Sequence, residues 1–278
     1  MSILDEIMAN RRKEVEERKA LYPVALLEKS IFFETKPVSL RKYVLREDKS
    51  GIIAEYKRKS PSKGMINKFA PVERTTIGYM QAGASALSVL TDTKYFAGKN
   101  EDLQTARKFN FCPILRKDFM LDEYQVFEAK SIGADAILII AAALDLPTAK
   151  QLTDRAHALN MEVLLEVHNR EELERYHEIG PDLIGVNNRN LKTFETTIQT
   201  SLELAEQIPQ TFVKVSESGI SDPQTILRLR EYGYRGFLIG ETFMRSSRPE
   251  QACADFIKRL HTRGEKVVEN AKIGDFEA

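Results

Sequence analysis

Four short phrases share one pattern: Ala82-Gly83-Ala84, Ile132-Gly133-Ala134-Asp135, Ile179-Gly180-Pro181-Asp182 and Tyr232-Gly233-Tyr234-Arg235. Each closes a stretch with helical apolar spacing and opens a short apolar run. A glycine just past a helix takes the left-handed backbone that ends it, so each phrase marks a helix handing over to a strand. Around these points the sequence predicts eight strands, at 51–56, 84–90, 112–116, 136–140, 162–167, 183–187, 212–216 and 236–240. Helical patterns fall between them, among them 72–82, 121–132, 146–159, 170–179, 194–208 and 223–232. The unit recurs about every 25 residues, and its strands are near-continuous apolar runs, as expected when both faces are covered. A doubly wound sheet would carry a glycine-rich fingerprint after its first strand. Here Lys57-Arg58-Lys59-Ser60-Pro61 follows instead. The expected fold is α/β, a (β/α)8 TIM barrel with extra N-terminal helices.

Residues 1–50 precede that rhythm. Ile3, Leu4, Ile7, Met8, Arg11 and Val15 recur at helical spacing, so 3–20 reads as an amphipathic helix ended by Pro23. Shorter helical pieces follow at 24–30 and 39–45. The charges of 11–19 interleave both signs, which reads as a solvated helix face rather than a nucleic-acid patch. The expected organisation is one barrel domain over 1–278, with 1–50 as a helical extension.

Charge and composition exclude several partners. Lys plus Arg number 41 and Asp plus Glu 41, so no net field recruits nucleic acid or an anionic membrane, and any anion site must be local. The longest apolar run, 136–144, is too short to cross a bilayer. The start, Met1-Ser2-Ile3-Leu4-Asp5-Glu6, carries acids and no apolar signal segment. Cys112 and Cys253 form no CxxC spacing, which suits a reducing compartment. His157, His177 and His261 sit in helical contexts without ligand partners, so no metal site is expected. These features describe a cytoplasmic chain acting on a small molecule. Apolar residues on the leading helices serve either a weak homodimer or the covering of a monomeric barrel.

In a barrel the working face is the carboxyl end of the strands. Cys112-Pro113-Ile114-Leu115-Arg116-Lys117-Asp118-Phe119 ends an apolar run in three charges, and an ammonium leaving a core needs an anion to answer it. The other strand ends deliver Glu55 and Lys57, Thr91-Asp92, Glu166, Asn187 with Arg189, Glu217 with Ser218, and Gly240 with Glu241. Glu55 and Lys57 share a strand face, either as a plain ion pair or as a tuned acid–base pair. Burial raises the pKa of Glu166 while nearby lysines lower it. His168 is assigned a structural role, on the other face from the residue next to it. Ser218-Gly219 and Gly240-Glu241, with Ser60 or Lys57, suit a phosphate; the alternative is that Gly219 and Gly240 only make tight turns. Tyr95, Phe96 and Phe119 suit either a lid over the core or a sandwich around a flat apolar group. Together these residues describe a barrel enzyme with phosphate at one end, an apolar group at the other, and Lys and Glu between.

At these residues the chain strongly resembles the indole-3-glycerol phosphate synthase family. The matching segments run in order: IIAEYKRKSPSKG, ALSVLTDTKYFAGKNEDL, PILRKDF, IGADAILII, LLEVHNREEL, IGVNNRNL, VSESGI and FLIGETFMR, with MANRRKEVEERK resembling the leading helix. Tyr56 and Lys59 are less usual for the family, Ala97-Gly98-Lys99 stands for a commoner Gly-Gly-Ser, and no second barrel for the neighbouring isomerase is present. The resemblance implies ring closure of 1-(2-carboxyphenylamino)-1-deoxyribulose 5-phosphate with loss of carbon dioxide and water, without a cofactor. It implies Lys117 as general acid, Lys57 on the substrate carboxylate, Glu166 as stabiliser of the iminium-like cation and acid or base, and Glu55, Asn187 and Glu217 as orienting groups. It further implies Ser60, Ser218, Gly219, Gly240 and Glu241 at the phosphate, Phe96, Phe119 and Leu138 around the anthranilate ring, and Arg189 among the substrate contacts. A phosphosugar isomerase or a non-catalytic phosphosugar-binding protein are the other readings. An isomerase has no need of two cations around a substrate carboxylate.

Overall fold

The computed structural model describes residues 2–191 and 193–274. Among them, eight parallel strands close into a barrel: β1 Ile52–Tyr56, β2 Ala86–Leu90, β3 Ile114–Lys117, β4 Ala136–Ile140, β5 Glu162–Val167, β6 Leu183–Asn187, β7 Val213–Glu217 and β8 Tyr234–Ile239. Ile52 of β1 pairs with Phe237 of β8, which closes the ring and leaves the barrel itself without an edge strand. Three helices lead in, α1 Ile3–Leu21, α2 Val24–Leu27 and α3 Leu40–Val44. Around and after the strands come α4 Val72–Gln81, α5 Asn100–Phe109, α6 Glu123–Ser131, α7 Leu146–Ala158, α8 Arg170–Tyr176, α9 Gln199–Leu204, α10 Pro223–Glu231, α11 Glu241–Met244 and α12 Pro249–Gly274. This is the expected (β/α)8 barrel. The glycines that announce strands, Gly83, Gly133, Gly180 and Gly233, all take left-handed backbone, with φ between 83° and 99°.

The period-two alternation of each strand divides the apolar residues between two cores. Ile52, Ala54, Leu87, Val89, Ile137, Ile139, Val163 and Leu165 face out and pack beneath the helices. Ile53, Ala86, Leu115, Leu138, Leu164, Val215 and Leu238 face in and fill the bore. Leu40 and Val44 of α3 join this inner cluster beside Ala136, Leu183 and Val213, residues at the start of their strands. So α3 plugs the amino-terminal end, and the chemistry is left to the other mouth.

Two expectations are corrected. The helix expected over 194–208 is only α9, Gln199–Leu204. The chain before it forms a loop in which Arg189 pairs with Thr196, Thr197 N–H donates to Asn188 O at 3.1 Å, and Phe194 takes φ 59°. Nor is the charged face of α1 simply solvated. Arg11 lies four residues from both Ile7 and Val15, on the face that packs inward, and is 5% exposed. It ion-pairs with Asp118, and Arg18 pairs with Glu128. Charge periodicity cannot distinguish a solvated arginine from one with a buried partner more than a hundred residues away. Among the described residues, no helix is long and apolar enough to cross a membrane.

Candidate active site

The strand alternation that fills the bore also builds the site. Two residues beyond Ile53, Leu115, Leu164, Val215 and Leu238, the same strand faces present Glu55, Lys117, Glu166, Glu217 and Gly240. They rim a cavity of about 410 Å³ at the carboxyl ends of the strands. Lys57, Ser60, Phe96, Phe119, Leu138, Asn187, Arg189, Ser218, Gly219 and Glu241 line the same cavity, so every site residue that the family resemblance implies meets there.

At its floor Lys117 Nζ donates to Glu166 Oε2 at 2.9 Å and to Glu217 Oε2 at 2.7 Å. Asn187 Nδ2 donates to Glu166 Oε1 at 3.1 Å. Lys57 Nζ pairs with Glu55 Oε1 at 2.6 Å, as the shared strand face requires. Burial works to lower the Lys117 pKa, but the charges of Glu166, Glu217 and Glu55 outweigh it and raise it, so the group stays an ammonium. The two carboxylates diverge. Burial would raise both, yet the Lys117 charge and His168 hold Glu166 well below the usual carboxylate range. Glu217 is raised, because burial and the nearby Glu166 charge prevail over Lys117. One cation between an acid held ionised and an acid whose hold on a proton is strengthened is a set that can both stabilise charge and move a proton.

The other walls differ in chemistry. Phe96 and Phe119 face each other at 5.9 Å between ring centroids, tilted by 42°, with Leu138 in the same cavity. Asp92 holds the first ring in place, its Oδ1 accepting from Phe96 N–H at 3.2 Å. Tyr95, grouped with these rings in the sequence, turns away instead and donates its hydroxyl to Glu6 of α1 at 2.9 Å. Opposite, Ser218 and Gly219 take left-handed φ of 68° and 76°. For Ser218 that conformation costs about 1–3 kcal/mol and needs a restraint. Asn188 supplies one, donating to Ser218 O and to Ser216 Oγ at 3.0 Å each. Gly240 admits no side chain, since a Cβ there would lie 2.5 Å from Glu55 Oε1. Among the described residues, no group of His, Cys, Asp and Glu is placed to hold a metal.

A family model described as indole-3-glycerol phosphate synthase matches residues 4–256. The chain belongs to the indole-3-glycerol phosphate synthase family. It is 50% identical over 258 residues to the indole-3-glycerol phosphate synthase of Bacteroides thetaiotaomicron, covering 93% of this chain and 98% of that one. It is 44% identical to the Dechloromonas aromatica enzyme of the same name, covering 89% and 95%. Among solved structures it is similar to a thiamine phosphate pyrophosphorylase from Pyrococcus furiosus, with TM-score 0.59, 15% identity, and coverage of 81% and 98%. A 3-hexulose-6-phosphate synthase from Salmonella typhimurium matches with TM-score 0.60, 11% identity, and coverage of 76% and 98%. These two likenesses show the barrel fold alone.

Several features of this barrel escaped the sequence reading. Ile3, Leu4 and Ile7 of α1 line the cavity, as do Thr196 and Arg245. Their signal was present only as helix spacing and loop charge. Gly185 was missed as well. A Cβ there would run into Glu217 Oε1 and lie 3.2 Å from Leu164 Cδ1. Gly185→Ala will therefore push the Glu217 carboxylate off Lys117. Because misplacement by about an ångström costs on the order of a hundredfold, kcat should fall by about that factor, with about 1–3 kcal/mol of stability lost to overpacking. Steady-state kinetics beside thermal melts check this, and an unchanged kcat would remove Gly185 from the site.

Proposed function

We propose that this cavity closes the indole ring by the family reaction, converting 1-(2-carboxyphenylamino)-1-deoxyribulose 5-phosphate to indole-3-glycerol phosphate with release of carbon dioxide and water. The observation that carries this reading is Lys117, held between Glu166 and Glu217 on the cavity floor. The ring carbon bearing the carboxylate attacks the ribulose carbonyl, and Lys117 donates to the oxygen as it becomes an alkoxide. Glu166, kept ionised, faces the cationic ring nitrogen of the adduct. The carboxylate then leaves as carbon dioxide, its bonding electrons restoring the aromatic ring. The new hydroxyl takes a proton from Glu217 and leaves as water, and the neighbouring carbon bonded to the ring nitrogen then gives its proton to the Glu217 carboxylate as the indole double bond forms, with Glu55 as partner to Lys57. Asn187 orients Glu166 through its amide.

Lys57 binds the substrate carboxylate, exchanging Glu55 for it within the same mouth. Phe96, Phe119 and Leu138 pack the anthranilate ring. Ser60, Ser218, Gly219, Gly240 and Glu241 receive the phosphate, and Arg189, within 3.5 Å of Glu241, closes that end. The test is direct. Purified protein is mixed with the carboxyphenylamino-deoxyribulose phosphate and indole emission is followed; the chain contains no Trp, so the signal belongs to product. Folded protein that binds phosphate yet gives no emission overturns the reading.

A charge-assisted contact is worth about 1.5–3 kcal/mol. Lys57→Met should therefore raise KM by roughly tenfold to a hundredfold and leave a decarboxylated analogue bound as before. Equal weakening for both ligands would separate Lys57 from the carboxylate.

A further inference from the structure

His168 stands just beyond β5, where the sequence alone suits it to a structural role. The structure puts it against the reacting groups. Being two residues past Glu166, it returns to that side of the strand, and its Nε2 lies 3.3 Å from Glu166 Oε1. Its Nδ1 lies 3.1 Å from Glu172 Oε2, in the first turn of α8, and its backbone N–H donates to the same oxygen at 2.8 Å. The side chain is 10% exposed.

Both of its neighbours are acceptors. Glu172 takes N–H groups on each oxygen, from His168 on Oε2 and from Asn169 Nδ2 on Oε1 at 3.0 Å. Glu166 takes Lys117 on Oε2 and Asn187 on Oε1. A neutral imidazole would turn a lone pair toward one of these carboxylates, whereas an imidazolium offers N–H to both. Nε2 makes no aligned hydrogen bond, so its contact with Glu166 is one of charge. Burial works to lower the imidazole pKa, but Glu166 and Glu172 outweigh it and raise it to about 10. Lys117 and Glu217 are linked to this pair through the Lys117 contacts with Glu166 and Glu217.

We propose that His168 is a positioning residue for the ring closure, an imidazolium clamped between Glu172 and Glu166 that holds the Glu166 carboxylate on its Oε1 side while Lys117 holds Oε2. This rests on the placement of Glu166 at the reacting centre. When the substrate oxygen draws the Lys117 hydrogen bonds toward itself, Glu166 would otherwise lose its main counter-charge and take up a proton. With His168 behind it, the carboxylate stays ionised and aimed at the developing cation.

Two measurements test the proposal. Nitrogen-15 NMR of the unsubstituted protein, with His168 assigned through its contacts, should show both ring nitrogens protonated through about pH 9, whereas an unperturbed imidazole changes near pH 6.5. Titration at the ordinary value overturns the proposal even where a variant fails to fold. In kinetics, His168→Gln keeps an N–H donor without the charge. Its kcat should fall about tenfold with KM nearly unchanged, and the acid limb of kcat should move to higher pH as Glu166 protonates more readily. His168→Lys should move that limb back. A Gln variant matching the parent in kcat and acid limb, while Glu166→Gln is impaired, overturns the role of His168 alone. A Glu166→Gln variant with parental kcat removes the reading of Glu166, and the proposal with it.

Discussion

Replacing Lys117 with alanine should lower kcat by about a thousandfold while the barrel stays folded. The ammonium touches Glu166 and Glu217 at once and lines the cavity, which on the proposed reading makes it the donor to the developing alkoxide. Its loss would leave two buried carboxylates facing each other. The fold tolerates this because Glu217, already raised by burial and by Glu166, takes a proton in place of the ammonium. Lys117→Arg should not restore turnover, since a larger guanidinium holds its protons more tightly and does not fit between the same two oxygens. Indole emission and a thermal melt on each variant check the pair. Turnover within about tenfold of the parent would mean that another group serves as the acid.

The second large effect concerns stability. Arg116, one residue before Lys117, points out of the barrel and is fully buried. Its Nη2 reaches Glu128 Oε2 at 2.5 Å and Asp118 Oδ2 at 3.1 Å, its Nε donates to Thr91 Oγ1 at 3.0 Å, and its Nη1 donates to Gln125 O at 3.1 Å. Arg11 and Arg18 of α1 join the same two acids. Removing one partner of such a set leaves buried charge uncompensated, at a cost of about 3–5 kcal/mol. For a chain of this size Arg116→Met should lower the melting midpoint by roughly 10 °C. Because α1 also walls the cavity through Ile3, Leu4 and Ile7, loosening its anchors should weaken substrate binding too. A midpoint unchanged within about 2 °C would mean that Arg11 and Arg18 suffice alone.

The same cluster sets an acid limit. Burial tends to raise Glu128, but Arg116 and Arg18 prevail and hold it at about 2, against 4.5 for the free group. A carboxyl lowered in the folded state contributes stability above its unfolded value and loses it as pH falls toward the folded one. The parent midpoint should therefore fall between about pH 4.5 and 2, and in Arg116→Met the fall should begin at higher pH, with Arg18 alone opposing it.

Much of this was legible in the chain. Helix-to-strand handovers are local, because a left-handed glycine and an apolar run need only their neighbours, and they placed the barrel strands to within a few residues. The parity that fills the bore with Leu115, Leu164 and Val215 then carries Lys117, Glu166 and Glu217 to one mouth by arithmetic along each strand. What the tertiary structure alone decided is which charges meet. Arg11 with Asp118, Arg18 with Glu128, and Lys117 with Glu166 and Glu217 join residues 49 to 110 positions apart. His168 has the same lesson on a shorter path, since alternation returns it to the side of Glu166 but only the packing of α8 sets Glu172 against its other ring nitrogen. Alternation along a strand is a property of nearest neighbours, whereas pairing depends on the register in which the barrel closes, and that closure is a property of the whole chain.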